Sequence, residues 1–150
     1  MPHSRADLNE RHCPMSRRHI QIPPNCEVTL GMTCVDKSQP GRTVWRMLAD
    51  ERFANPIGII QGGFLSAMAD SAMGSATITF TRAAGRKAFS SSIEMKTSFF
   101  APARVGAMLE CTAHVVHGGA RVAFAEAEIV DDQGVVVARA SSSYLFTPLE

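Results

Sequence analysis

Gly62-Gly63-Phe64-Leu65-Ser66-Ala67-Met68-Ala69-Asp70-Ser71-Ala72-Met73-Gly74-Ser75-Ala76-Thr77-Ile78-Thr79-Phe80 is the stretch that decides the fold. Leu65, Met68, Ala69, Ala72, Met73 and Ala76 recur at helical spacing, which predicts a helix of about four turns. Asp70 is its one charged residue, and small side chains dominate. Such a helix is expected to be enclosed by other structure rather than laid on a surface.

The period changes on both sides of it. Upstream, Gly31–Asp36 and Thr43–Leu48 flank the turn-rich Lys37-Ser38-Gln39-Pro40-Gly41, a hairpin signal. Downstream of the loop 82–87, Ser92–Phe99 alternates with period two and Pro102 closes it. Leu109–Val116 then sets Leu109, Cys111, Ala113 and Val115 on one face. Turns at Gly118-Gly119 and at Asp131-Asp132-Gln133-Gly134 lead into Arg121–Val130 and Val135–Leu145. The order is two strands, one helix, four strands. It predicts an α+β layer, an antiparallel sheet packed on a single long helix.

Composition sets the remaining bounds. The 150 residues suffice for one domain with its own core, without disulfide or metal support. A formal charge of +1 excludes a polyanion-driven function such as nucleic-acid binding, and Pro56, Gly58, Gly62 and Gly63 break the uncharged runs, so no membrane span is expected. Residues 1–24, with Arg5, Arg11, Arg17, Arg18, three histidines and Pro23-Pro24, are expected to form a mobile basic arm. Asp7 and Glu10 argue against a targeting peptide. Residues 25–150 then form the domain, with a formal charge of −1. Cys13, Cys26, Cys34 and Cys111 have no metal-ligand spacing and are expected to be buried reduced thiols of a cytoplasmic protein.

The candidate chemistry lies around the helix. Gln61-Gly62-Gly63 opens it, so its first backbone N–H groups are uncovered by side chains and suited to a polarised carbonyl oxygen. Asp70 is a poor helix-interior residue placed beyond the reach of the helix dipole. It is an exposed acid, an arginine partner or a reacting carboxylate. Gly62 and Asp70 are eight residues apart, about 12 Å along one helix, too far to serve one carbonyl. Two antiparallel copies of the helix about a twofold axis would bring each N-terminus beside the partner's Asp70.

Asn55-x5-Gln61-Gly62-Gly63-x6-Asp70, followed by Ser92-Ile93-Glu94-Met95-Lys96-Thr97-Ser98-Phe99-Phe100-Ala101-Pro102-Ala103-Arg104-Val105-Gly106, resembles the hotdog-fold acyl-CoA thioesterases of the phenylacetate-pathway (PaaI-like) group over residues 25–147. The resemblance implies a curved antiparallel sheet of about six strands wrapped around the helix, and homodimers that often pair into tetramers. It implies hydrolysis of an acyl-CoA thioester to acid and CoA, with no cofactor or metal. Gly62 N–H would hold the oxyanion. Asp70 of the other subunit would act as general base or as nucleophile through an anhydride. Asn55 would orient water or the carboxylate, and Ser92 would assist beside Asp70. Gln61 stands where the family usually has His, and cannot titrate near neutral pH. Gly63 and Phe64 would line the substrate site. Met68 and Met73 are expected as adaptable core side chains, with an acyl-pocket lining by Phe64 and Met68 as the alternative.

His117-Gly118-Gly119 repeats the usual family tripeptide but sits at a hairpin. His117 and Arg121 either meet the coenzyme phosphates or form a solvated turn. Arg82, Arg86 and Lys87 form a basic loop nearby. Trp45 is expected in packing, and Glu94, next to Lys96, as a member of a cross-strand pair rather than a second catalytic acid. Two further classes stay open on the sequence: a protein that binds acyl-CoA without cleaving it, and a dehydratase, for which His114 and His117 are poorly placed.

Overall fold

The computed structural model describes residues 21–149. The arm expected over 1–24 lies outside them except for its last four positions. The elements run α1 (Asn25–Leu30), β1 (Thr33–Asp36), β2 (Arg42–Leu48), a single 3-10 turn (Glu51–Phe53), α2 (Gly62–Ala83), β3 (Ala88–Phe99), β4 (Met108–Gly118), β5 (Val122–Val130) and β6 (Val136–Pro148). The strands form one sheet in the order β1-β2-β4-β5-β6-β3, antiparallel throughout. This is the hotdog architecture expected from the sequence, with α2 enclosed by the sheet.

α2 lies close to the sheet because its inner stripe is small: Ala69, Ala72 and Ala76 are fully buried, with Met68 and Met73 filling the spaces between them. The Thr43 hydroxyl, buried on β2, donates to the Ala72 carbonyl at 2.8 Å and fixes the middle of the helix. From Phe64 to Thr81 no residue is exposed.

The helix is longer than four turns. Its 22 residues span about 33 Å. The β-branched run near its end is a poor helix former by propensity. The threonine hydroxyls nonetheless fold back onto the preceding turn: Thr77 on Gly74 O, Thr79 on Ala76 O and Thr81 on Ile78 O. Gly85, at φ 69°, ends the helix with the Gly85 N–H to Arg82 O and Arg86 N–H to Thr81 O bonds of a Schellman turn.

α1 was not expected as a helix, although Pro24 before it and left-handed Gly31 after it are ordinary boundary residues. It buries Leu30 against the core and also Glu27, whose carboxyl is raised above the usual range by burial and lowered in part by Lys37. A raised carboxyl costs stability as pH climbs past the ordinary glutamate range, because the unfolded chain releases its proton first. Glu27→Gln should therefore raise Tm at pH 7, with the gain shrinking as pH falls through that range. Equal thermal shifts of the two proteins at pH 7 would refute this.

One other expectation changes. Among the described residues only Cys111 is a fully buried thiol, its pKa pushed up to about 12 by burial; Cys34 is half-buried and Cys26 exposed, all three free. Cys13 lies outside the described residues. Glu94 is in a cross-strand pair as expected: a bulge between Ser92 and Glu94 turns it to the outer face opposite Ser143, where its Oε1 accepts the Ser143 N–H at 2.7 Å. Trp45 is buried in the core as expected, and among the described residues its Nε1 has no hydrogen-bond partner.

Candidate active site

The loop before α2 is built by Asn55. Its Oδ1 accepts the N–H groups of Ile57 and Ile59, both at 3.1 Å, while its own N–H donates to Ile59 O at 2.7 Å. The side-chain carbonyl is thus spent on the loop, and only Nδ2 remains to address a ligand. Isolated bridges pair Ala54 with Ile60 and Ile59 with Arg104. Gln61 N–H donates to Phe53 O, which leads the chain into the helix.

Gln61 is the N-cap and makes no side-chain cap bond. Phe64 N–H turns back to Gln61 O, and the Phe64 ring stacks on Phe53 at 4.4 Å between centroids. Among the described residues the N–H groups of Gly62 and Gly63 have no acceptor. The expected pair of bare donors at a helix N-terminus is therefore present. Gly62 is also a close-approach residue, since a Cβ there would lie 2.7 Å from the Phe99 ring. Phe99, which sequence reasoning did not single out, stands at the end of β3 and is half-exposed.

Asp70 is half-buried and, among the described residues, has no arginine partner. Tyr144 on β6 donates to its Oδ1 at 2.7 Å, and the same hydroxyl lies 3.1 Å from the Asp70 backbone carbonyl. Burial and the carboxylate both hold the Tyr144 hydroxyl well above the ordinary phenol range, so it remains a donor. Ser92, exposed on β3, is the register partner of Tyr144. Neighbouring hydroxyl pairs, Ser66 to Thr97 at 3.1 Å and Thr77 with Ser90 at 2.7 Å, tie the same side of α2 to β3.

The site residues expected from sequence thus fall into three groups. Asn55, Gln61, Gly62, Gly63 and Phe64 gather at the N-terminus of α2; Asp70 meets Tyr144 two turns along, and Ser92 pairs with Tyr144 across the sheet. His117 and Arg121 belong to the far end, at the β4–β5 hairpin. Gly118 there packs against the Phe80 ring, so closely that a Cβ would lie 2.3 Å from it. Gly118 therefore takes the inward position and His117, after a bulge, faces outward. Arg121 lines an open groove of about 670 Å³ with Arg86, Lys87 and Phe146. Arg86 donates to the carbonyls of Ala120 and Gly119, at 2.7 and 3.2 Å, and locks this hairpin to the loop after α2. Among the described residues no cluster of His, Cys, Asp or Glu could hold a metal ion, and no helix is long and apolar enough to cross a membrane.

Residues 57–138 match the family model of the thioesterase superfamily. Human acyl-coenzyme A thioesterase 13 is 27% identical over 107 residues, 71% of this chain and 74% of that protein. Among solved structures, AziG of S. sahachiroi is similar with a TM-score of 0.76 and 30% identity, over 86% of this chain and 100% of that one. The E. coli PaaI protein from the phenylacetic acid degradation operon has the same fold, with a TM-score of 0.76 at 23% identity, over 85% of this chain and 86% of that one. The chain belongs to the thioesterase superfamily, as a hotdog-fold, PaaI-like thioester hydrolase.

Proposed function

We propose that two copies of this chain pair into a homodimer and hydrolyse an acyl-CoA thioester at two equivalent sites, each built from Gly62 of one copy and Asp70 of the other. The observation that carries this reading is the separation of bare donors and carboxylate on one rigid helix, about 12 Å. No movement within one chain closes that gap. A second copy does, and β3 is a suitable seam. It is an edge strand of 12 residues on which Phe89, Ile93, Met95 and Phe99 are exposed, a combination that calls for a partner strand. Antiparallel pairing about a twofold axis would run the two α2 helices in opposite senses. The expected pairing of dimers into a tetramer is part of the same proposal, as is the domain boundary at residue 25.

In this site Gly62 N–H polarises the thioester carbonyl and holds the oxyanion. The free Oδ2 of Asp70 removes a proton from water as the water attacks the carbonyl carbon. Collapse breaks the C–S bond, and the proton passes from Asp70 to the departing thiolate, leaving free acid and thiol. Direct attack by Asp70, with an anhydride opened by water, is the other route. Single turnover in 18O-water distinguishes them, since only the anhydride route loads label into Asp70. A thiolate leaves readily, so no strong general acid is required. Asn55 Nδ2 and Ser92 orient water, Gln61 frames the N-terminus, and Gly63 and Phe64 border the acyl group.

Acyl-CoA as substrate class follows the named activity of the human relative and suits the charge pattern. Lys87 and Arg121 lie past the end of α2, about 20 Å from Asp70 along the helix, on the scale of an extended pantetheine arm. Arg121 and Lys87 are assigned to the phosphates, with Arg86 holding the hairpin beneath them. His117 faces outward and is given no contact. A panel of short, medium-chain and aromatic acyl-CoAs, followed by thiol release, tests the reading. Turnover of at least one member with a substrate-dependent KM is expected; tight binding across the panel without thiol release would overturn it.

A further inference from the structure

Tyr144 is the only tyrosine of the chain and is 2% exposed. A buried phenol needs a partner for its hydroxyl, and most core positions supply a backbone carbonyl. Here the shorter contact, 2.7 Å, runs to a side-chain carboxylate oxygen of Asp70, and the longer one, 3.1 Å, to the Asp70 carbonyl. Both ends of this contact are anchored. The ring rests against Gly74, one turn further along α2, where a Cβ would lie 3.8 Å from Cε1. On the other side its strand is held between β5 and β3. Neither the helix nor the strand can shift without breaking core packing.

We propose that Tyr144 is the positioning residue of the site: its hydroxyl clamps Oδ1 of Asp70, fixes the carboxylate rotamer and leaves Oδ2 as the one oxygen presented to substrate and water. The inference rests on the proposed role of Asp70. A clamp on one oxygen removes the rotational freedom that a carboxylate at a half-buried helix position would otherwise keep. Among the described residues, the other groups acting on this pair are Cys111 on β4, held neutral by burial, and Ser142 on β6, whose hydroxyl donates to Glu94 O. Glu94 lies on the outer face. Tyr144 is therefore the one strong donor placed to set the carboxylate.

The test uses the full chain in two altered forms. Tyr144→Phe deletes the hydroxyl and keeps the ring. Biosynthetic replacement of tyrosine by 3-fluorotyrosine labels Tyr144 alone and makes its hydroxyl a stronger donor without emptying the site, which also covers a failure of the Phe variant to fold. The order of the Asp70 side chain is read without substrate from its three-bond couplings, and the contact itself from the 19F signal of the fluorotyrosine protein. In Tyr144→Phe the couplings should average over rotamers where the unaltered chain shows one, and the 19F signal should move when Asp70→Ala is added. A single rotamer kept in Tyr144→Phe or, where that variant does not fold, a 19F signal unmoved by Asp70→Ala overturns the clamp. In turnover, Tyr144→Phe should lower kcat about tenfold at constant KM. If the couplings average while kcat stays, the clamp stands and the role of Asp70 in catalysis is refuted.

Discussion

Asp70→Asn protein should release thiol from acyl-CoA about 10²- to 10⁴-fold more slowly than the unaltered chain, at an unchanged KM. The amide keeps the shape of the carboxylate and still offers Oδ1 to the Tyr144 hydroxyl, so the clamp survives and stability should change by no more than about 1 kcal/mol. What disappears is the lone basic oxygen, because an amide neither takes a proton from water nor attacks a thioester. A loss confined to kcat would mark an interaction made in the transition state. Loss of the dimer, or a fall in Tm of many degrees, would instead point to a structural role, and undiminished thiol release would remove Asp70 from the chemistry altogether.

The elements that could be foreseen are those that carry a period. Leu65 through Ala76 repeat at helical spacing and Leu109 through Val115 alternate, and both stripes face the core. The end of α2 was harder to place because the threonines that lower helix propensity also satisfy their own hydroxyls on the preceding turn. α1 escaped because six residues carry too little periodicity to stand out. Glu94 pairs across the strands as its position suggested, but the face it takes was not legible: a single bulge reverses the face of a strand, and no spacing in Ser92–Phe99 announces it.

The site was legible in its motif and not in its contacts. Gly62, Gly63 and Asp70 stand where the helix geometry put them. The Tyr144 contact joins residues 74 apart in sequence, and pairings at that range depend on strand order rather than on local pattern. The available signal was composition: one tyrosine in the whole chain, at an inward position between Ser142 and Phe146, needs a polar partner in the core. Asn55 shows the converse. Its type and spacing suggested a ligand-facing amide, yet half of that amide builds the loop, as asparagine often does in turns.

Gly62→Pro should lower kcat about 10²- to 10³-fold, the usual effect of removing one oxyanion donor, while leaving α2 intact. Gly62 is the first residue of the helix, a position where proline is favoured and where its missing N–H breaks no helical bond. Gln61 before it has φ −63° and ψ 135°, the extended conformation that a following proline requires. The added ring meets the far end of the half-exposed Phe99 side chain, which can swing aside. Gly62→Ala is the control, since it adds the same Cβ and keeps the N–H; it should retain most of the activity. Combining the two inactive chains then decides where the site lies. In a mixed dimer of Gly62→Pro with Asp70→Asn, one site has both defects and the other has neither, because each site takes its donor from one chain and its carboxylate from the other. Mixed dimers isolated through two different tags should therefore recover about half of the unaltered activity. If donor and carboxylate served the same site within one chain, every site of the mixed dimer would carry a defect, and it would be as inactive as its parents.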